Sequence, residues 1–338
     1  MANIVGPLTK TATTRRVPVA IRFFQVFESL GVLLMLAIVL VVASLLAPGF
    51  FTLTNLTNLV ITASITAVAG MGMTFAIAMG AFDLSVGSTQ ALTAIIAATL
   101  LGKTNLPVAI LGALLGGAIL GLINGLIITR LRVPAFVATL GMMGVIRGAA
   151  LLYTNGQSVM ITTHREYALL NNGKVLGVPI PFIIALLVLA GLYILLQHTR
   201  FGRHVCAVGG NEQAAIASGL DVNKITVSVF MLVGMAAALS GIMLSSKLLI
   251  VDGTLGAGFE LQAIAISVLG GTSLSGGTGN MIGTFLASLL LAAIAGALNI
   301  LNVPSFYQYL ALGLLLIFAL ALDTLRRSLI SRAVAGAR

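Results

Sequence analysis

Residues 62–102 read TASITAVAGMGMTFAIAM (62–79), GAFDLSVGS (80–88) and TQALTAIIAATLLG (89–102), two long apolar runs with Asp83 set between them. Only eight residues of 338 are acidic, so one placed there calls for a reason. Each unpaired backbone group in hydrocarbon costs several kcal/mol, and only helices or closed barrels escape that cost. The runs have the length of bilayer helices and lack the short apolar/polar alternation of barrel strands. The stretch therefore predicts two membrane helices with a break at Gly80–Gly87.

Composition agrees. A hydrophobic share of 59% against a charged share of 8% leaves too little polar surface for a water-soluble fold. The fold class is all-α integral membrane, with about ten transmembrane helices expected near 28–48, 56–79, 86–102, 106–128, 136–153, 179–197, 225–245, 259–270, 280–299 and 304–322. The basic start of the chain is followed by an apolar run too long for a signal peptide, which reads as a retained first span.

The net charge of +10 does not point to nucleic acid, because the basic residues are scattered among loop ends rather than gathered in one patch. They report topology instead. With both termini cytoplasmic, the inner side holds Lys10, Arg15, Arg16, Arg22, Arg130, Arg132, Arg200, Arg203, Lys224, Arg326, Arg327, Arg332 and Arg338. The outer side holds only Lys103, Arg165, Lys174 and Lys247. The expected organisation is a cytoplasmic tail (1–24), a transmembrane domain (25–325) with a cytoplasmic loop at 198–224, and a second cytoplasmic tail (326–338). Residues 154–178 form the long outer segment.

Enzyme chemistry finds no support. His164, His198 and His204 fall in loops on opposite faces, which is no metal site. Ala97 stands where a phosphate loop before Gly102-Lys103-Thr104 needs its first glycine, and no serine sits in a nucleophile elbow. The single cysteine, Cys206, excludes an internal disulfide.

Polar residues inside the apolar runs are more informative. Gly80, Asp83, Ser85 and Gly87 would interrupt a helix as the discontinuous segments of transporters do, lining a cavity or supporting a gate. The alternative is a plain cytoplasmic turn with Asp83 as a helix cap. The second segment, GGTSLSGG (270–277), shares the pattern Gly-x-x-(Asp or Ser)-Leu-Ser-x-Gly, with Gly80 opposite Gly270, and so adds Ser273 and Ser275. Arg147 lies well inside the fifth span, at a cost of about 2.5–3.5 kcal/mol on insertion scales. It needs a carboxylate, carbonyls or a hydrated path, and Glu260 is the candidate carboxylate. In the fourth span, Gly112 and Gly116 form one row and Gly117, Gly121 and Gly125 another, which predicts close packing on two sides. Asn124 on that helix needs an interhelical partner or a wet cavity.

Four stretches together carry a family resemblance: GAFDLSVGS, RLRVPAFVATLGMMGVIRGAALLYTNG, TRFGRHVCAVGGNEQAAIASGLDV and VLGGTSLSGGTGNMIGTFLA. In this order, over roughly residues 50–325, the chain resembles the permease subunits of bacterial ribose-, xylose- and galactoside-type ABC importers. Ala81 and Phe82 stand where the family commonly has glycine and isoleucine. The resemblance implies a vitamin-B12-type (type II) importer-like fold in the bacterial inner membrane, paired with a second copy or a sister permease. It implies a periplasmic binding protein that delivers a sugar or sugar-like molecule, and a cytoplasmic ATPase that holds ATP and Mg, this chain binding no cofactor. It also implies that the inner loop docks on the ATPase through Gly209, Gly210, Asn211, Glu212, Gln213, Ala214, Ala215 and Gly219, with Glu212–Ser218 as a short helix. Gln213 takes the place of the family's glutamate. The rival is an ion-coupled secondary transporter in which Asp83 or Glu260 carries the ion.

Overall fold

The computed structural model describes residues 19–161, 164–304 and a set of positions between 306 and 321. Among these the chain is mostly helical. The elements are α1 (Val19–Leu46), α2 (Leu53–Ala78), α3 (Val86–Leu101), α4 (Leu106–Arg130), α5 (Ala135–Thr154), β1 (Val159–Met160), α6 (Arg165–Asn172), β2 (Lys174–Val175) and β3 (Val178–Pro179). They continue with α7 (Ile180–His198), α8 (Arg200–Gly210), α9 (Glu212–Ala217), α10 (Val222–Leu248), β4 (Ile250–Val251), α11 (Phe259–Leu269) and α12 (Met281–Ile300). Every expected span up to 280–299 carries a helix. About half of the tenth, 304–322, most of the tail at 1–24 and all of the tail at 326–338 lie outside the described residues.

Among the described residues six helices, α2, α4, α5, α7, α10 and α12, are long and apolar enough to cross a membrane. Two others are short for structural reasons. At 1.5 Å per residue α3 extends about 24 Å and α11 about 16 Å, both less than the ~30 Å hydrocarbon layer. Each starts beside irregular chain, at 79–85 for α3 and 252–258 for α11.

α2 is the central helix. Its residues are buried without interruption from Ala63 to Ala78, enclosed by α7, α10, α11 and α12. Alanine, glycine, serine and threonine predominate in this stretch, and they let neighbouring helices come close where lipid supplies no hydrophobic drive. A methyl group on Gly70 would overlap Ile266, and one on Gly72 would lie 2.6 Å from Ala236 Cβ.

α4 is packed on two sides, as its glycine rows predict. Gly117, Gly121 and Gly125 lie against the backbone of α10 at Gly234, Phe230 and Val227, while Gly112 and Gly116 meet Leu100 and Ile96 of α3. Gly234 answers reciprocally, since a methyl group there would overlap the carbonyl of Gly117.

The segment at 154–178 is built rather than loose. β1 pairs antiparallel with β4, Val159 opposite Val251, and β2 pairs with β3. Tyr167 of α6 is fully buried against α10, its hydroxyl 2.6 Å from Ser245 Oγ, and burial pushes that phenol up to about 12.

The segment pair 80–87 and 270–277 is only partly a repeat, and its register differs from the expected one. α2 ends with Gly80 (φ 85°), whose N–H donates to Ile77 O (2.8 Å) while Ala81 N–H donates to Ala76 O (2.9 Å). α11 ends in the same way, with Gly271 (φ 91°) donating to Val268 O and Thr272 to Ser267 O. Both are Schellman ends, and they match Gly80 to Gly271 instead of Gly270. Beyond them the chains diverge: α3 starts at Val86, whereas the second segment turns twice more through Gly276 and Gly277 before α12.

Replacing Gly121 with leucine drives a side chain into the Phe230 carbonyl, and overpacking of this kind costs about 1–3 kcal/mol or more. The variant should lose its monodisperse peak, or melt clearly earlier, in detergent size-exclusion measurements, while Gly191→Ala, whose methyl meets nothing within 4 Å, should not.

Candidate functional site

The break after α2 is the seat of the expected polar cluster. From Ala81 to Asp83 the chain has no regular secondary structure, and Asp83 is 2% exposed. Asp83 Oδ1 accepts from the backbone N–H of Ser85 (2.8 Å) and from Ser85 Oγ (2.6 Å). Asn124 of α4 reaches across with Nδ2, donating to Ser85 Oγ at 2.8 Å and lying 3.5 Å from Asp83 Oδ2. Thr139 of α5 donates to the Phe82 carbonyl at 3.3 Å. Asp83 is thus neither a solvated turn nor the helix cap. Ser85 is the cap residue of α3, and its hydroxyl serves Asp83 instead of the helix N–H groups.

The start of α11 meets the start of α3. A methyl group on Gly87 would overlap both the carbonyl of Gly256 and Glu260 Oε2. One on Gly256 would overlap Gln90 Oε1 and lie 2.8 Å from the Gly87 carbonyl. Glu260 Oε2, Gln90 Oε1 and Asn124 Oδ1 are buried oxygens that accept no hydrogen bond from the described residues. Two broken helices therefore abut through glycine, flanked by acceptors with spare capacity for hydroxyl or water donors.

Arg147 supports the same junction from α5, making its direct contacts with carbonyls and feeling Glu260 only through its charge. Its Nη1 donates to the carbonyls of Gly253 (2.7 Å) and Leu255 (2.8 Å), in the irregular stretch between β4 and α11. The ion pairs among the described residues are His164–Glu166 and Lys224–Asp221, so the expected Arg147–Glu260 contact is replaced by carbonyl capping. The reason is geometric: backbone outside a helix exposes carbonyls that need donors in a medium without water. Asp252 of the same stretch holds its turn by accepting from Thr254 N–H (2.7 Å) and Thr254 Oγ1 (2.6 Å).

Asp83, Ser85, Asn124, Arg147 and Glu260 are thus drawn to one region around the α3–α11 contact. Ser273 and Ser275 are not: they belong to the turn after α11, where Ser273 N–H donates to Thr278 O and Ser275 is exposed. Two buried polar clusters that sequence reading missed tie α2 to its neighbours. Gln90 Nε2 donates to Ser240 Oγ (2.8 Å), which donates to Ile65 O (2.7 Å). Thr74 Oγ1 lies 2.9 Å from Thr284 Oγ1, and Ser267 Oγ donates to Gly70 O at 2.9 Å. A lone glutamine in an apolar run was the only sequence signal for the first.

The loop at 198–224 carries α8 and α9 at right registers for a rigid element. Asn211 caps α9, its Oδ1 accepting from Ala214 N–H at 2.9 Å. At the other end Gly219 (φ 81°) donates to Ile216 O and Leu220 to Ala215 O, a third Schellman end. The two alanines part company: Ala215 is buried, while Ala214 is exposed together with Glu212, Gln213 and Ile216. Asp221 then caps α10, and the backbone and side chain of Lys224 hold its carboxyl below the usual range.

Replacing Arg147 with methionine keeps the bulk but strips two buried carbonyls of their donor. Each orphaned group costs about 1–3 kcal/mol, so the variant should melt earlier, and Arg147→Lys should recover part of the loss. A melting profile of Arg147→Met identical to the parent would remove the capping role.

Comparison with known proteins follows the same outline. The family model described as "Branched-chain amino acid transport system / permease component" matches residues 55–320. The ribose import permease protein RbsC of Escherichia coli (strain K12) is 41% identical over 295 residues, covering 86% of this chain and 92% of that one. RbsC of Bacillus subtilis (strain 168) is 39% identical, covering 90% and 95%, and the D-allose transport system permease protein AlsC of Escherichia coli (strain K12) is 35% identical, covering 90% and 94%. No solved structure gives a significant match. The broken α2–α3 and α11–α12 junctions and the α8–α9 loop all lie inside the matched region, and this chain belongs to the family of branched-chain-type transport permeases.

Proposed function

We propose that this chain is the transmembrane permease subunit of an ATP-driven importer, carrying a monosaccharide or sugar-like molecule handed over by a periplasmic binding protein. The observation that carries the reading is the family match over residues 55–320. That match takes in, as one unit, the polar junction at α3–α11 and the capped α8–α9 element. Permeases named for ribose, L-arabinose and D-allose are 35–41% identical to it.

The site supports passage rather than bond-making. Asp83, Ser85, Asn124, Glu260 and Gln90 offer hydrogen bonds, and the Ser85 hydroxyl is fully buried between Asp83 and Asn124 instead of being presented as a nucleophile. Hydroxyls of a sugar would match the spare acceptors. ATP and Mg belong to a separate cytoplasmic ATPase in this reading, with α9 docking on it through its exposed face of Glu212, Gln213, Ala214 and Ile216. Ten spans with both termini inside, the type II importer fold and residence in the bacterial inner membrane complete the proposal. A second permease, identical or sister, pairs with this one. Gly141, Gly144 and Gly148 on α5 suit such pairing, because a methyl group on any of them would meet nothing within 4 Å.

The test is reconstitution in liposomes with the ATPase and the binding protein. Uptake should require ATP and the loaded binding protein, and Asn211→Ala, which removes the cap of α9 at a cost of about 1 kcal/mol, should reduce it. Uptake by the chain alone under a proton or sodium gradient would instead establish the ion-coupled carrier.

A further inference from the structure

The α8–α9 element meets both helix breaks at one point, and it does so without side chains. A methyl group on Gly209 would overlap the carbonyl of Ala78, the last residue of α2, and would lie 2.7 Å from the backbone nitrogen of Gly277. One on Gly276 would lie 2.6 Å from the Gly209 carbonyl. The break at Gly80 is in contact too, its added carbon 3.9 Å from Gly209 Cα. The two breaks are hydrogen-bonded to each other at this point, Gly277 N–H donating to Ala78 O at 2.8 Å. Three stretches of main chain from distant parts of the sequence thus touch directly.

This contact differs from ordinary helix packing in what it can transmit. Side chains between elements absorb displacement by changing rotamer, whereas touching backbones have no such slack. Gly209 is two residues from the Asn211 cap, and the hydrogen bond from Asn211 N–H to Ala207 O (3.1 Å) carries α8 into α9 with no free linker. Beyond the joint, the Gly80 side continues through Asp83 and Ser85 to the start of α3. The Gly276–Gly277 side continues into α12, whose Thr284 bonds Thr74 of α2. We propose that Gly209 is a positioning residue for transport: a side-chain-free joint through which displacement of α9 reaches the ends of α2 and of the α11–α12 turn together, so that both breaks shift as one.

The inference rests on the reading of the chain as an ATP-driven permease, and its test separates the two. The complex of this chain with its ATPase and binding protein is reconstituted in liposomes. In Gly209→Ala, ATP-driven uptake should fall about tenfold, within the range that single residues in coupling networks produce, and stimulation of ATP hydrolysis by the loaded binding protein should be lost. Gly191→Ala, on α7 with open space around it, should transport like the parent. A parent complex without ATP-driven uptake would refute the functional reading, while a Gly209→Ala complex that transports like the parent overturns the joint alone.

Should Gly209→Ala fail to assemble, pulsed electron paramagnetic resonance decides with the joint intact. In a Cys206→Ser background, spin labels at exposed Ala217 and Ser275 should keep one separation with and without bound ATP. Labels at Ala217 and at fully exposed Leu176, in the outer segment, should change theirs. A 217–275 distance that responds to ATP, or a 217–176 distance that does not, overturns the proposal.

Discussion

In hydrocarbon, a main-chain N–H or C=O without a partner costs several kcal/mol, and the architecture of this protein is organised around where that rule is hardest to satisfy. Two helices stop short and irregular chain takes over at depth. Several of the carbonyls and amides there have identified partners. Glycines in the left-handed conformation close α2 and α11, Asp83 gathers the Ser85 donors, Thr139 covers Phe82, and Arg147 caps Gly253 and Leu255. The arginine in the middle of a span thus meets backbone carbonyls directly, with the charges of Glu260 and Asp252 close enough to act on it. A guanidinium presents several N–H donors in a fixed fork and suits two adjacent carbonyls as well as it suits an acid.

Close approach of backbones is the second theme, and it follows from the first. Without a hydrophobic drive between helices, contact area and dispersion must hold them together, and glycine brings the most main chain into reach. The α4–α10 seam uses three glycines on one helix and Gly234 on the other. The α3–α11 abutment uses Gly87 and Gly256, and the α8 joint uses Gly209, Gly276 and Gly277. These are the positions where an added methyl has nowhere to go.

Much of this was legible in the sequence where the signal was local. Apolar length gave the helices, the four-residue glycine spacing gave both faces of α4, and Gly219 marked the end of α9. Asp83 stood out because charge is scarce. What escaped depended on neighbours that linear order does not reveal. The donors and acceptors of Gln90 and Ser240 are 150 positions apart, and Thr74 and Thr284 are 210 apart. Partners of Arg147 are carbonyls, which carry no residue signature. The repeat slipped by one position because Gly270 and Gly271 are both glycine, and only the φ angle distinguishes the one that closes the helix. In α9, six residues are too few for a periodic pattern to separate buried Ala215 from exposed Ala214.

The complete enclosure of α2 bears on how the protein is made. Its residues leave the ribosome early, yet the helices that cover them, α7, α10, α11 and α12, extend to Ile300. Its serine and threonine hydroxyls can meanwhile bond back to their own helix, as Ser64 does to Val60 and Thr66 to Thr62, which lets the segment wait in lipid or beside the insertion machinery. Final assembly is therefore a late event that must follow synthesis of the last quarter of the chain, and a polypeptide truncated before α10 would leave its most central helix without a home.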